Sequence, residues 1–174
     1  MSARPRCSQF WLRKLHSLSG FLFLGYFLCL HVRGQEAYGS TTLKALFLYV
    51  PLLFHALYGL FITYESLPNP LRYPWVRNAM YLGQRVSGVL LVPFVPLHLG
   101  AVQWGAAYAD AGWYRVVWYG GLLTAVFHLS NGLFGTAIDW GVTVGPRSQR
   151  ALVAASFLAF FVLAGFGLYT LASY

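Results

Sequence analysis

VVWYGGLLTAVFHLSNGLFGTAI, residues 116–138, holds no charged side chain and one histidine near its middle. As an α-helix it is about 35 Å long, enough to cross a hydrocarbon core of ~30 Å. Its apolar residues run on without the alternation of a membrane β-strand. Four further charge-free runs, 15–32, 45–64, 86–109 and 151–174, have the same character. The 12 Lys+Arg and 4 Asp+Glu residues all lie outside the five runs. The reading is an all-α integral membrane protein with five transmembrane helices, I to V, near 15–32, 45–64, 86–109, 116–138 and 151–172.

Composition agrees. Of 174 residues 58% are hydrophobic and 9% charged, where a soluble domain carries roughly 25% charged residues. This excludes a disordered chain, a disulfide-rich miniprotein and an ordinary cytosolic enzyme. There is too little polar surface to cover five such helices in water. The net charge of +8 is spread thinly between apolar runs, which does not make a nucleic-acid surface. Cys7 and Cys29 have no metal or redox spacing. No phosphate-binding loop, nucleophile elbow or zinc spacing occurs, and no residue is assigned a catalytic role. Length allows one domain over 1–174.

Basic residues orient the chain. Arg4, Arg6, Arg13 and Lys14 precede helix I; Arg72, Arg77 and Arg85 lie between II and III; Arg147 and Arg150 lie between IV and V. Arg33, Lys44 and Arg115 fall on the other side. The excess places the N-terminus in the cytoplasm and the C-terminus outside. The first run lacks a small-residue cleavage site, so it reads as a span rather than a signal peptide. The tryptophans Trp11, Trp75, Trp104, Trp113, Trp118 and Trp140 cluster at span ends, where amphipathic rings prefer to sit.

His31, His55, His98 and His128 lie one each in helices I to IV; helix V has none. Ionisable side chains in hydrocarbon are expensive and mark function by default. Counted from the inner ends of the spans, His55 and His128 lie at roughly 14–16 Å and His31 and His98 at roughly 20–25 Å. Each pair can place two imidazoles on opposite faces of one planar ring. That is the geometry of two b-type haems with bis-histidine ligation, helices I–IV forming the haem-binding bundle and V lying alongside. A c-type haem would need C-x-x-C-H, which is absent.

Glycines fit a flat macrocycle. Gly59 follows His55 by four residues and Gly132 follows His128 by four, each on its histidine's face one turn on. HSLSG at 16–20 and QRVSG at 84–88 place Gly20 and Gly88 at matching positions, a sign of weak internal duplication of I–II in III–IV. Pro51, Pro93 and Pro96 precede His55 and His98 closely and can kink their helices. Arginine suits planar carboxylates; Arg85 and Ser17 are read as propionate contacts, Arg147 and Arg150 as orienting charge. His16 is open between a propionate, a quinone and the headgroups.

The segments RKLHSLSG (13–20), FHALYG (54–59), LGQRVSG (82–88), LHLG (97–100) and FHLSNGLFGTAIDWGVTVGPRSQR (127–150) resemble the five-helix, di-haem cytochrome b558 subunit of succinate dehydrogenases and fumarate reductases. The resemblance covers nearly the whole chain. It implies His31 and His98 on an outer haem and His55 and His128 on an inner one. It also implies a flavoprotein with FAD and an iron–sulfur protein docked on the cytoplasmic face of a bacterial inner membrane. Dicarboxylate chemistry then resides on those partners, and the substrate met here is a quinone, commonly menaquinone. No residue is diagnostic of the quinone site; Glu36 and Tyr38 of the I–II connection are candidates for an outer-face proton acceptor. No acidic side chain lies within a span.

The expected function is a membrane anchor carrying electrons from succinate oxidation through two haems to quinone. The alternatives are the reverse, fumarate-reducing direction, a di-haem anchor for another dehydrogenase, and a haem-free transporter with histidines relaying protons.

Overall fold

The computed structural model describes residues 7–33, 40–65, 75–104, 112–143 and 145–172. They form five long helices: α1 (Cys7–Arg33), α2 (Thr41–Glu65), α3 (Trp75–Trp104), α4 (Gly112–Asp139) and α5 (Pro146–Ala172). Helices α2 to α5 contain segments long and apolar enough to cross a membrane. The candidate outer-face residues Glu36 and Tyr38 lie outside the described residues.

The helices outrun the charge-free stretches. α1 begins at Cys7 rather than near 15, and α3 begins at Trp75 rather than near 86. The stretch between the expected spans 45–64 and 86–109 is thus helical from Trp75 onward. Charge-free sequence marks hydrocarbon, whereas a helix can continue past it: exposed Arg13 lies in α1, and half-buried Arg77 and Arg85 lie in α3. Ser17 and Arg85 therefore sit about ten residues inside their helices instead of at the entry.

Within α2, residues Ala45–Tyr49 form a π-helical turn. Pro51 follows after Val50. It has no N–H to donate and its ring crowds the preceding turn, so the backbone widens there. The helix resumes and carries His55 one turn later.

The chain divides into two compact units, Met1–Ser66 and Leu67–Tyr174. In the first, α1 and α2 are antiparallel: Gly20 faces His55, Gly59 faces His16, and Tyr26 stacks near Phe47. In the second, α3 and α4 are antiparallel, with Gln84 beside Gly132, Gly88 beside His128 and the His98 ring beside Trp118. α5 returns along α4, with Leu122 against Gly167 and Phe127 against Phe160.

Two turns fix the α4–α5 connection. Gly141 takes φ +71°, the left-handed region that glycine enters without strain. Gly141 N–H then bonds Ile138 O at 3.0 Å and Val142 N–H bonds Ala137 O at 2.8 Å, a Schellman closure of α4. Pro146 opens α5, where its missing donor costs nothing. Ser148 Oγ accepts from the Gly145 N–H at 3.2 Å, satisfying one loose donor at that end.

The distribution of polarity suits lipid outside. Buried side chains include Ser19, Ser87, Ser130, Asn131 and Ser156, while Leu53, Leu57, Phe61, Leu158, Phe161 and Phe166 are exposed. A water-soluble fold does the opposite. Trp11, Trp113 and Trp140 are also exposed, the first two near the starts of α1 and α4 and the third just past the end of α4.

Candidate functional site

Two histidine cradles stand out, one per unit, built alike. In the first, α1 supplies HSLSG and α2 supplies His55. The His55 Nδ1 lies 2.9 Å from the His16 carbonyl. A carbonyl only accepts, so Nδ1 carries the hydrogen and, in the neutral ring, Nε2 keeps its lone pair. Ser19 Oγ donates to the same carbonyl at 2.8 Å. The His16 ring stacks on the His55 ring, centroids 4.0 Å apart and planes 12° apart. Gly20 makes this possible: a Cβ there would come within 2.8 Å of the His55 ring.

In the second cradle α3 supplies QRVSG and α4 supplies His128. Ser87 Oγ donates to Gly83 O at 2.7 Å, with Gln84 O at 3.2 Å as a second acceptor. His128 Nδ1 lies 3.0 Å from the same hydroxyl oxygen. Gln84 Nε2 lies 3.2 Å from His128 Nε2. Asn131 Nδ2 donates to Gln84 Oε1 at 3.0 Å and to Met80 O at 2.6 Å. Gly88 clears the ring; a Cβ there would reach 3.1 Å from His128 Cε1.

The correspondence is position by position. His16 matches Gln84, Ser19 matches Ser87, Gly20 matches Gly88, His55 matches His128 and Gly59 matches Gly132. Gly59 and Gly132 were expected to leave room for a ring held by their own histidines. Here that room lies under the partner helix: a Cβ at Gly59 would lie 3.1 Å from the His16 ring, and one at Gly132 would lie 3.2 Å from the Gln84 amide. His16 thus packs against the Gly59–His55 face of α2.

The outer histidines are placed less fully. His98 is half-buried on α3, its ring 4.8 Å from Trp118 and 5.9 Å from Phe94. His31 lies in the last turn of α1, and its side chain is outside the described residues. Contact register sets the vertical spacing better than span ends do. His98 is ten residues beyond Gly88, about 15 Å along the helix, and His31 is eleven beyond Gly20, about 16 Å. The two levels are further apart than the sequence count suggested.

The expected propionate contacts are engaged within their own helices. Ser17 Oγ donates to Lys14 O at 2.9 Å. Arg85 donates from one terminal nitrogen to Tyr81 O at 3.1 Å, and its guanidinium lies 3.3 Å over the Tyr81 ring. Arg77 of α3 donates to Gln149 of α5, tying the two helices at the end that bears GPRSQR. Sequence reasoning missed Gln84, Ser87 and Asn131 as partners of His128. The available signal was the alignment of QRVSG with HSLSG, which puts Gln84 where the first half has a histidine.

Residues 71–166 match the family described as succinate dehydrogenase/fumarate reductase transmembrane subunit. The chain belongs to this family. It is also 34% identical, over 194 aligned positions covering 92% of this chain and 94% of the relative, to the succinate dehydrogenase cytochrome b558 subunit of Bacillus subtilis (strain 168). No solved structure matches the chain. The family match spans the second cradle, and the Bacillus relative spans both. The protein is therefore a membrane subunit of the succinate dehydrogenase/fumarate reductase kind.

Proposed function

We propose that the chain is a di-haem cytochrome b anchor subunit of a succinate:quinone oxidoreductase. All five helices then cross a bacterial inner membrane, with the N-terminus cytoplasmic and the C-terminus outside, and residues 1–174 act as one haem-binding domain. The observation that carries the reading is the repeated cradle. His55 is held through Nδ1 with Nε2 left as a lone-pair nitrogen, and His128 sits in the matching position. A histidine ligand to iron needs that arrangement, with its other nitrogen bonded to a fixed acceptor. The donor set therefore fits haem b.

His55 and His128 would ligate the inner haem, and His31 and His98 the outer. Haem b held by these histidines would supply one-electron transfer between the iron–sulfur partner and quinone, rather than oxygen binding. The residues of this chain orient the ligands: the His16 ring lies flat on His55 and the Gln84 amide lies beside His128. Gly20 and Gly88 admit the imidazoles. Gly59 and Gly132 are the small neighbours one turn on. His16, Ser17 and Arg85 lie along the same two helices and are assigned to the inner haem's surroundings. Outward electron movement is favoured by ~2.3 kcal/mol per 100 mV when the inside is negative, which suits reduction of a low-potential quinone such as menaquinone.

The partners are an FAD flavoprotein and an iron–sulfur protein on the cytoplasmic face, where Arg77 and the GPRSQR segment lie. Docking there is favoured by the basic charge of that face. The test is a reduced-minus-oxidised optical spectrum with haem quantification on the purified complex. Two low-spin b haems per chain, with FAD and iron–sulfur subunits co-purifying, are expected. No low-spin b signal would remove the reading, and a nickel or molybdenum partner would move it to another dehydrogenase.

A further inference from the structure

The geometry points to Ser87 as the positioning residue that selects the tautomer of His128. This rests on the haem-ligand reading above and goes beyond it to a residue that touches neither iron nor substrate. Ser87 has one hydroxyl proton. Two carbonyls, Gly83 O at 2.7 Å and Gln84 O at 3.2 Å, compete for it, and neither can donate. Toward His128 the hydroxyl oxygen therefore presents a lone pair, and at 3.0 Å it accepts from Nδ1–H.

The far side of the ring agrees. Asn131 donates to Gln84 Oε1 at 3.0 Å, which turns the Gln84 NH2 toward His128. That NH2 lies 3.2 Å from Nε2, so Nε2 accepts; in the haem-loaded protein the same lone pair would go to iron in place of Gln84. Both nitrogens demand the same form: hydrogen on Nδ1, lone pair on Nε2. Ser87 is itself 4% exposed, so water does not substitute for it easily.

The two inner ligands differ in how they are held. His55 donates to a main-chain carbonyl, which no substitution removes, whereas His128 donates to a side chain, which can be changed. A hydrogen bond from Nδ1–H raises the basicity of the coordinating nitrogen. A more basic ligand favours the oxidised iron. Ser87 therefore holds down the midpoint potential of the inner haem and leaves the outer one alone.

The test is a redox titration of the whole complex carrying Ser87→Ala, Ser87→Cys or Ser87→Thr. With alanine, the potential of one haem rises and the other stays. Cysteine, nearly isosteric and a weaker acceptor, raises the same haem by less, which covers the case in which the alanine complex does not assemble. Threonine keeps the hydroxyl and the wild-type potential. Unmoved potentials in the alanine or cysteine complex, or an equal shift of both haems, overturn the assignment. A second measurement does not need haem: the 15N spectrum of the full haem-free chain labelled at histidine. His128 shows a protonated Nδ1 in the parent and mixed tautomers in Ser87→Ala. A parent already mixed overturns the inference while leaving bis-histidine ligation standing. A haem-free purified complex, with the tautomer signature intact, removes the haem reading and leaves the positioning role.

Discussion

The imidazoles of His16 and His55 lie face to face, 4.0 Å between centroids and 12° from parallel, on two antiparallel helices. Gly20 and Gly59 flank that stack from opposite sides. A Cβ at Gly20 would press on His55, and one at Gly59 would press on His16.

Gly20→Ala should therefore displace His55, because 2.8 Å is closer than a methyl group can approach a ring carbon. Overpacking of this kind costs about 1–3 kcal/mol. Gly88→Ala should be milder, since its Cβ would lie 3.1 Å from His128. Haem content and the amplitude of the inner b signal check this. An order reversed between the two variants would contradict the cradle geometry.

His128→Ala should remove one haem and leave the spectrum of the other. Quantification of extracted haem should fall from two per chain to one. Loss of neither would refute ligation by His128, and retention of both with altered spectra would point to a substitute ligand.

Asn131 is buried and serves two acceptors, Met80 O and Gln84 Oε1. Asn131→Ala leaves both without that donor and should lower stability by about 1–3 kcal/mol. Thermal unfolding of the complex in detergent reads the loss. The Gln84 amide is then released to turn, so Asn131→Ala should also broaden the inner haem signal.

Gly121 of α4 lies where any side chain would run into the Phe94 ring of α3. Gly121→Ala should destabilise the complex by about 1–3 kcal/mol. Phe94→Leu should recover part of that loss when combined with it, because neighbours of this kind do not add independently. A double variant no better than the single one would place the strain elsewhere.

Four of the apolar spans, α2 to α5, and the matched glycines were legible in the sequence because each follows from position along one helix. What faced those glycines was not. Spacing of four puts Gly59 on the face of His55, but only the register between α1 and α2 brings His16 over it. Gln84 and Ser87 became visible as partners of His128 for the same reason. The vertical interval between the inner and outer histidines was underestimated because charge-free runs locate hydrocarbon, and α1 and α3 extend well past it. Pro51 was read as able to kink its helix, and the structure places a wider turn over Ala45–Tyr49 just before it.

Each cradle is closed by contacts inside one antiparallel pair of helices. The contact of His55 with the carbonyl of His16 lies wholly within α1 and α2, and that of His128 with Ser87 wholly within α3 and α4. Either pair can therefore close its own histidine contacts without waiting for the other.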